Sequence, residues 1–599
     1  MMEATAEREA IKGGEFLIRE TEAHEIFIPE EWSEEQKMMA QACQDFIDKE
    51  ITPNVERMDK MEEGFMSSLM DKAGELGLLG VSIPEAYGGL GMNFNTGMLI
   101  ADIMGAGGSF STAYGAHTGI GTLPILYYGT EEQKQKYVTK LATGEWKACY
   151  CLTEPDAGSD ANSGKTKAKL SDDGKHYIIN GQKMWISNAG FADLLIVFAK
   201  IDDDRNLTAF IVEKTYGGIT MNDEEVKLGI KGSSTRQVFF NDCKVPVENM
   251  LSSRENGFKI AVNILNIGRI KLASGVIGGC KEVASLATQY ANDRKQFGVS
   301  ISTFGAVQAK LANMAIRTYA TESAAYRAGQ NIDDKIDSLI ADGMEEQDAK
   351  LKGVEQFAIE CAIMKVHGSE VLDFIVDEGV QVYGGMGFSE DAPMARAYRD
   401  ARIARIYEGT NEINRMLLVG MILKRAMKGE LDVMGPAMAV AKELTSVPSF
   451  ASPDLSAPFA AEKEVLKKLK KAVLMVAGKA AQTFGPKLND EQEILMNLAD
   501  MVIEIYVAES TLLRTEKLIG VRGEEACKLQ TAMTQVYLYE AVQKVNSAGN
   551  EAVACFAQGD EMKVMLMGMK RFTKMDPINT RDLRRTIAEY MIEKNAFPY

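Results

Sequence analysis

The sequence predicts an α+β multidomain protein, because the hydrophobic pattern of its 599 residues changes character three times. Apolar residues at helical spacing come first, short β-type runs separated by turn residues follow, and long helical patterns then return. A chain of this length is too long for one hydrophobic core and predicts three or four packed units. We place the boundaries at residues 1–147, 148–256, 257–429, 430–461 and 462–599.

The first unit, residues 1–147, is predicted to be helical. Apolar pairs such as Phe46–Ile47 and Leu69–Met70 lie at helical spacing from their apolar neighbours. Its longest uncharged stretch, residues 103–130, is interrupted by several glycines and by Pro124. This stretch therefore suits buried helices with tight turns better than a membrane-spanning helix.

Residues 148–256 are predicted to form a β domain. Runs rich in β-branched and aromatic residues, such as Tyr177–Ile179, Leu194–Phe198 and Val238–Phe240, alternate there with turn clusters. Helical patterns return over residues 257–429, where a glycine cluster interrupts them.

The last part of the chain is predicted to be a linker followed by a further helical domain. Residues 430–461 hold four prolines among alanines and serines, a composition typical of linkers. Helical spacing of apolar residues resumes at residue 462 and continues to residue 599.

Composition and charge exclude several classes of function. A net charge of −18 disfavours nucleic acid as the main partner, since phosphate binding needs clustered cations. The eight cysteines form no CxxC pair, which predicts reduced thiols and a cytoplasmic location. The four histidines lie far apart, so no metal site is predicted. The chain begins with an acidic segment, and we expect no signal peptide.

The segment from Arg402 to Ile413 contains the candidate catalytic base. It reads RIARIYEGTNEI, with Glu408 between Tyr407 and Gly409 just before an apolar helix. A lone glutamate before a helix is usually a solvated carboxylate, so the interpretation depends on further motifs. The segment resembles the active-site motif of the acyl-CoA dehydrogenases, flavoenzymes that remove a proton from Cα and a hydride from Cβ of a fatty acyl thioester. The resemblance makes Glu408 the base.

Two motifs in the β domain resemble the family's flavin-binding segments. Residues 149–160 read CYCLTEPDAGSD, and residues 183–188 read KMWISN, where the family stacks the tryptophan on the flavin. Ser187 stands where the family often has threonine, so we expect weaker positioning of the cofactor. The resemblance assigns the following residues to FAD, the last two from the segment after the base: Tyr150, Leu152, Thr153, Gly158, Ser159, Trp185, Ser187, Thr410 and Glu412.

Two later motifs resemble segments that complete the cofactor site across an assembly. Residues 292–298 read NDRKQFG, like the loop that reaches the FAD of a neighbouring subunit. Residues 381–388 read QVYGGMGF, like the adenine-side segment, whose glycines let the backbone approach the cofactor. The resemblance therefore implies a homo-oligomer, expected to be a dimer, and assigns to FAD Arg294, Gln296, Phe297, Gln381, Gly384 and Gly385.

The segment Asn266–Arg269 resembles the one in which the family's arginine lies beside the active-site helix and near the CoA moiety. A structural arginine on a helix is the alternative interpretation. Gly268 occupies the position at which some relatives carry their base, and a glycine cannot serve. Glu408 is therefore the only base that the motifs offer. The expected substrate contacts are Ser159, Asn266, Arg269, Tyr407 and Gly409.

The resemblance implies a fold and a reaction. The expected fold is an N-terminal α domain, a middle β-barrel and a C-terminal four-helix domain, with the extra helical domain that very-long-chain enzymes have. The expected reaction is the conversion of long-chain acyl-CoA to trans-2-enoyl-CoA in fatty acid β-oxidation, with hydride transfer to flavin N5. Electrons would then pass to an electron-transfer flavoprotein. Small side chains at Thr112, Gly115 and Ala116, where medium-chain relatives narrow the pocket, favour long chains.

Two alternative functions stay open at this stage. An acyl-CoA oxidase shares the fold, the base and a C-terminal helical extension but passes its electrons to oxygen. A nucleic-acid-binding flavoprotein of the same superfamily is suggested by five lysines between residues 463 and 471, although the acidic chain disfavours it. Residues 462–482 themselves fit either a basic amphipathic helix on the inner face of an anionic membrane or a helix whose apolar stripe faces the core.

Overall fold

The computed structural model of the protein describes residues 10–444 and 457–599. Helical, β and helical units follow one another in the predicted order, and the α+β class is confirmed. The first unit contains α1 (Glu34–Phe46), α2 (Val55–Asp59), α3 (Phe65–Glu75), α4 (Phe94–Met104), α5 (Ser109–Gly115), α6 (Leu123–Tyr128), α7 (Glu131–Gln133) and α8 (Thr139–Thr143).

Local sequence determines where the first long helix begins. The Ser33 hydroxyl accepts a hydrogen bond from the Gln36 amide at 3.2 Å, and the Gln36 side chain accepts one from the Ser33 amide at 2.9 Å. This reciprocal pair is a capping box, which satisfies two backbone donors at the helix start. Helix α1 then packs against α4 and buries Cys43 and Phe46, with the Phe46 ring 5.4 Å from that of Phe110 in α5.

The β unit is one twisted sheet in the order β6-β7-β3-β2-β4-β5-β8, with β1 parallel to β4. Its strands are β1 (Ala148–Cys151), β2 (Lys167–Leu170), β3 (His176–Ser187), β4 (Leu194–Ile201), β5 (Thr208–Glu213), β6 (Ile219–Met221), β7 (Thr235–Pro246) and β8 (Met250–Leu251). The register of β3 against β7 shifts by one residue between Lys183 and Ile186. This bulge holds Trp185 at a left-handed φ of 60° and directs its ring outward, with 53% of its surface exposed.

The third unit is built around one long central helix. Its elements are α9 (Gly257–Asp293), β9 (Lys295–Gln296), β10 (Val299–Ser300), α10 (Gly305–Ala341), α11 (Glu346–Gln356), α12 (Ala358–Tyr383), α13 (Pro393–Ala401) and α14 (Asn411–Met427). Helices α9, α10, α12 and α14 pack together as the predicted four-helix group. Glycine lets α4 approach α9 closely, because a Cβ on Gly278 would lie 1.9 Å from the Asp102 carbonyl oxygen.

Helix α9 is long and apolar enough to cross a membrane by length and composition, alone among the described helices. However, 61% of its most apolar window is buried inside the protein, where α9 packs against α4, α10 and α12. A core helix of this kind meets the same length and composition test.

The segment predicted as a linker begins with a helix. Residues 434–444 form α15 (Met434–Leu444), and both Val433 and Val440 are buried. The proline-rich composition predicted a linker, so the sequence analysis missed this helix. The helix forms because apolar residues of the stretch are buried against the rest of the protein. Residues 445–456 lie outside the described residues, and the last two residues of the predicted linker belong to a helix that begins at Ala460.

The last unit contains α16 (Ala460–Phe484), α17 (Gln492–Arg522), α18 (Lys528–Phe556), α19 (Gly559–Phe572) and α20 (Thr580–Lys594). Helices α16 to α19 pack on one another, while α20 packs against α10 and α18. The apolar stripe of α16 faces this core, with Val465, Leu469 and Val476 buried.

Five lysines of α16 form ion pairs, and the exposed Lys468 lies outside this set. Lys467 and Glu20 lie 3.2 Å apart, Lys463 and Glu516 lie 2.8 Å apart, and Lys471 and Glu443 lie 2.8 Å apart. Lys470 is buried against Glu509. The positive charge that would bind nucleic acid or an anionic membrane is therefore largely neutralised on this helix. Its packing fits the interpretation that the apolar stripe faces the core.

The N-terminal segment packs far from the helices that follow it in sequence. Residues 12–31 lie against α10, α12, α16 and α17 rather than inside the first helical unit. Glu360 accepts a hydrogen bond from the Gly14 amide at 2.7 Å, and Lys517 donates one to the Ile26 carbonyl at 2.6 Å. The segment thus joins the four-helix group to the last unit, which differs from the predicted unit of residues 1–147.

Arg514 offers a test of this three-way junction. It is buried and donates to Glu322 at 2.6 Å and to Glu30 at 2.8 Å. Arg514→Met removes the buried cation that joins buried Glu322 to half-buried Glu30, and breaking a buried ion pair destabilises a fold by about 3–5 kcal/mol. We expect a clear fall in apparent Tm by scanning fluorimetry. Arg57→Met, which breaks the half-exposed pair with Glu62, should change Tm little; equal shifts in both variants would contradict the junction.

Candidate active site

Glu408 lies in a tight connection between α13 and α14, and its backbone is held from two sides. Its φ is 59°, a left-handed conformation that is strained for a residue with a side chain. Arg269 of α9 donates to the Glu408 carbonyl at 3.3 Å, and Asn414 of α14 donates to the Gly409 carbonyl at 2.8 Å. The Thr410 hydroxyl caps α14. These contacts fix the direction of the Glu408 side chain.

The Glu408 carboxylate is directed into a cavity of about 610 Å³ between the first and third units. Among the described residues, its buried Oε2 atom has no hydrogen-bond partner. A Cβ on Gly268 would lie 2.6 Å from Oε2, so α9 has room for this carboxylate only because that position is glycine. Burial raises the pKa of Glu408 to about 7, against the positive charges of Arg269 and Lys365.

The structure adds Lys365, which the sequence analysis missed. Its ammonium donates to the Asn411 side chain at 2.7 Å in the buried start of α14. Burial lowers the pKa of Lys365 to about 8, although the Glu408 charge raises it. A lysine inside the apolar run AIECAIMKV was the available sequence signal. Lys365 and Arg269 are thus the two cations whose charge acts on the base.

A chain of polar contacts leads from Asn411 to the last unit. Asn411 donates to Glu370 at 3.0 Å, and Arg415 forms a two-bond pair with Glu370 at 2.7 and 2.9 Å. Arg415 also donates to Asp500 of α17 at 2.7 Å. The last unit therefore buttresses the helix start that follows the candidate base.

The predicted flavin-binding run continues from β1 as a loop against β3. The Met184 amide donates to the Thr153 carbonyl at 2.9 Å, and buried Lys183 and Glu154 are paired at 2.7 Å. These contacts place the loop beside Trp185. Of the predicted residues, Tyr150 and Leu152 are buried, Thr153 and Ser187 are half-buried, and Gly158 and Ser159 are exposed.

A second group of predicted cofactor residues lies at the other end of the four-helix group. Arg294 follows the last turn of α9, about 36 Å along that helix from Arg269. The stacked rings of Tyr290 and Tyr383, 4.0 Å apart, bring the ends of α9 and α12 together. This end therefore collects the exposed Phe297 together with Arg294, Gln296, Gln381, Gly384 and Gly385.

The two groups are too far apart to contact one reacting centre in a single chain. Gln381 lies about 24 Å along α12 from Lys365, which acts on Glu408. The separation agrees with the expectation that the second group reaches the cofactor of a neighbouring subunit.

The expected substrate contacts also fall into two sets, one at the cavity and one away from it. Tyr407 lines the cavity, and Gly409 follows the base at a φ of 82°. Arg269 and Asn266 are buried behind Glu408, joined by a 2.7 Å hydrogen bond, and they do not line the cavity. Ser159 lies on the outer loop of the β unit. Glu412 is exposed in the first turn of α14.

Local features fit a planar cofactor of the predicted kind. The Trp185 ring is exposed beside the cavity residue Ser187, and the buried Tyr150 hydroxyl has no partner among the described residues. A Cβ at Gly158, Gly384 or Gly385 would meet no atom within 4 Å, so backbone is accessible at all three positions. No group of side chains suited to a metal ion occurs in residues 10–444 or 457–599.

Family comparisons agree with this geometry. The N-terminal, middle and C-terminal domains of acyl-CoA dehydrogenase match residues 33–145, 149–243 and 255–423. A second C-terminal domain of acyl-CoA dehydrogenase matches residues 468–571, within the last helical unit.

Full-length relatives are similar across nearly the whole chain. A probable acyl-CoA dehydrogenase of Bacillus subtilis is 42% identical over 586 residues, 98% of each chain. The very long-chain specific mitochondrial enzyme of Rattus norvegicus is 36% identical over 82% of this chain and 75% of its own. A crystal structure of acyl-CoA dehydrogenase complexed with FAD from Bacillus anthracis has a TM-score of 0.95 and 44% identity, covering 98% of this chain and 100% of its own. This protein therefore belongs to the acyl-CoA dehydrogenase family.

Proposed function

We propose that this protein oxidises long-chain acyl-CoA to trans-2-enoyl-CoA with FAD, in fatty acid β-oxidation. The observation that carries the proposal is the unpaired Glu408 carboxylate directed into a 610 Å³ cavity. Anaerobic titration of the purified protein with acyl-CoAs of increasing length tests the proposal. Bleaching of the bound flavin is the expected result, and a flavin that stays oxidised with every chain length would contradict it.

Burial prepares Glu408 to remove a weakly acidic α-proton from a thioester. Its carboxylate is poorly solvated, so its pKa lies near 7 and its ionised form is a stronger base than an exposed glutamate. The charges of Arg269 and Lys365 keep part of the population ionised at neutral pH. FAD supplies the acceptor for the hydride that leaves Cβ. Apolar side chains of the cavity, such as Leu79 and Val376, favour an acyl chain over water.

A preference for long chains is supported by the cavity lining. Thr112, Gly115 and Ala116, whose small side chains predicted room for a long chain, all line it. Helix α9 contributes lining residues from Ile267 to Leu286, a length of about 28 Å. An extended acyl chain of many carbons is compatible with that length.

We propose an electron-transfer flavoprotein as the electron acceptor, on the resemblance to the dehydrogenases. The acyl-CoA oxidase alternative differs in the acceptor and not in the base. Oxygen uptake that matches substrate consumption would assign the protein to the oxidases, while its absence would support the dehydrogenase.

We also propose a homodimer in the cytoplasm. The exposed Phe297 and Phe388 flank the second group of cofactor residues, and a neighbouring subunit would cover them. The eight cysteines are free thiols, and all except Cys555 are buried, which is compatible with a reducing compartment. Peripheral membrane contact stays a prediction, without support from the paired lysines of α16.

Replacing the base should separate chemistry from folding. We expect Glu408→Gln to remain folded and to retain FAD, while acyl-CoA-dependent flavin bleaching slows at least about 100-fold, the low end of general-base catalysis. Stopped-flow absorbance measures the rate. Glu56→Gln, at an exposed ion pair, is the matched control. A near-normal bleaching rate in Glu408→Gln would contradict the assignment of Glu408 as the base.

Replacing Lys365 should shift the pH dependence of the same rate. Glu408 must be ionised to act, so the rate should rise with pH through about 7. Lys365→Met removes a positive charge that lowers the Glu408 pKa, and the rising limb should move to higher pH. The exposed Lys468→Met should leave the limb in place. If the bleaching rate of Lys365→Met rises at the same pH as that of the wild-type protein, Lys365 does not act on the base.

Replacing Arg294 should test assembly. If Arg294 pairs with the cofactor of a neighbouring subunit, FAD stabilises the assembled state by mass action. We expect Arg294→Ala to lower both FAD occupancy and dimer stability, measured by absorbance and sedimentation velocity. Arg581→Ala, at an exposed ion pair of α20, should change neither. A fully flavinated monomer would contradict the shared site.

A further inference from the structure

One lysine of the cavity has no partner in the described part of the chain. Lys271 lies on α9 about one turn beyond Gly268, the residue that faces the Glu408 carboxylate, and it lines the same cavity. Among the described residues, its ammonium makes no hydrogen bond and no ion pair. Burial alone lowers the pKa of Lys271 to about 8.

The buried lysines in the described part of the chain are matched by polar groups. Lys183 pairs with Glu154 at 2.7 Å, Lys365 donates to Asn411 at 2.7 Å, and Lys470 pairs with Glu509. Within residues 10–444 and 457–599, Lys271 forms no ion pair with any carboxylate that lines the same cavity, namely Asp48, Asp59, Glu282, Asp400 and Glu408. The cation at Lys271 is therefore an exception that the fold itself does not explain.

The opposite wall of the cavity completes a small polar site. A Cβ on Gly97 of α4 would lie 3.6 Å from Lys271 Nζ and 2.7 Å from the Ser82 hydroxyl oxygen. A side chain at position 97 would crowd the hydroxyl, so the glycine lets the Ser82 hydroxyl and the Lys271 ammonium both lie close to the α4 backbone. Gly97, Ser82 and Lys271 all line the cavity that we propose for the acyl chain.

An unsubstituted acyl chain would bury the ammonium against hydrocarbon with no hydrogen-bond acceptor. Placing an unpaired cation in an apolar environment is strongly unfavourable, whereas an oxygen acceptor in the chain would satisfy it. We propose that Lys271, with Ser82, is a specificity-determining site for acyl-CoAs that carry an oxygen acceptor in the acyl chain beyond Cβ. The acceptor is a carboxylate, a hydroxyl or a keto oxygen. This inference rests on the proposed dehydrogenase activity and narrows its substrate class.

The test compares wild-type protein and Lys271→Met on acyl-CoAs of matched length. One series is unsubstituted, one carries a terminal carboxylate, and one carries a hydroxyl or keto group along the chain. Anaerobic flavin bleaching gives kcat/KM and KM for each compound. Varying the chain length within each class shows at which distance from the thioester the oxygen acceptor binds best. Leu272→Met, which changes an apolar neighbour in the same cavity wall, is the matched control.

We expect wild-type protein to prefer one oxygenated series over the unsubstituted series at equal length. Lys271→Met should lower kcat/KM for that series by at least about tenfold, through KM, since hydrogen bonds to charged groups supply at least that factor. It should raise kcat/KM for unsubstituted chains. Loss confined to the carboxylate series identifies an ion pair, and loss in the hydroxyl or keto series identifies a neutral acceptor.

Two results would overturn the proposal. One is an equal change for oxygenated and unsubstituted chains in Lys271→Met, and the other is a wild-type preference for unsubstituted chains at every length. The wild-type comparison needs no variant, so it decides the question even if Lys271→Met fails to fold. Absence of bleaching with every series is a different outcome, because it removes the dehydrogenase activity itself.

Discussion

The candidate active site depends on one constraint, a buried carboxylate oxygen of Glu408 with no hydrogen-bond partner in residues 10–444 and 457–599. An ionised Glu408 loses solvation in the cavity, and the fold keeps it there through its backbone rather than through its side chain. Arg269 and Asn414 hold the left-handed connection around Glu408, and Gly268 leaves the space that the carboxylate occupies. Loss of solvation raises the pKa of this candidate base to about 7, and the charges of Arg269 and Lys365 oppose that rise.

The extra helical unit matters to this site although none of its described residues, 457–599, lines the cavity. Asp500 of α17 holds Arg415, Arg415 holds Glu370, and Glu370 accepts from Asn411 at the start of α14. Each link is a charge-assisted hydrogen bond in a partly buried place, where such bonds are strong. The N-terminal segment of residues 12–31 ties the same unit to α12, so the unit is packed as part of the enzyme.

Sequence predicted the parts of the site that depend on local pattern. Glu408 and Trp185 lie in short motifs whose residue types match their chemistry, and the order of the units followed from changes in periodicity. Contacts between distant segments left no such pattern. Lys365 lies in an apolar run, and its role depends on Asn411, 46 residues later. The packing of residues 12–31 against α17 joins chain positions more than 450 residues apart.

Helix α9 links the candidate base to the second group of predicted cofactor residues. Its first half carries Arg269 and Gly268 at the base, while Arg294 follows its last turn, about 36 Å away. A straight packed helix transmits position over that distance because it is held by α4, α10 and α12 along its length. If a neighbouring subunit brings its own Arg294 to this chain's FAD, each α9 places the base of one site and a cofactor contact of the other. Assembly and catalysis would then depend on the same helix, which is held between α4, α10 and α12.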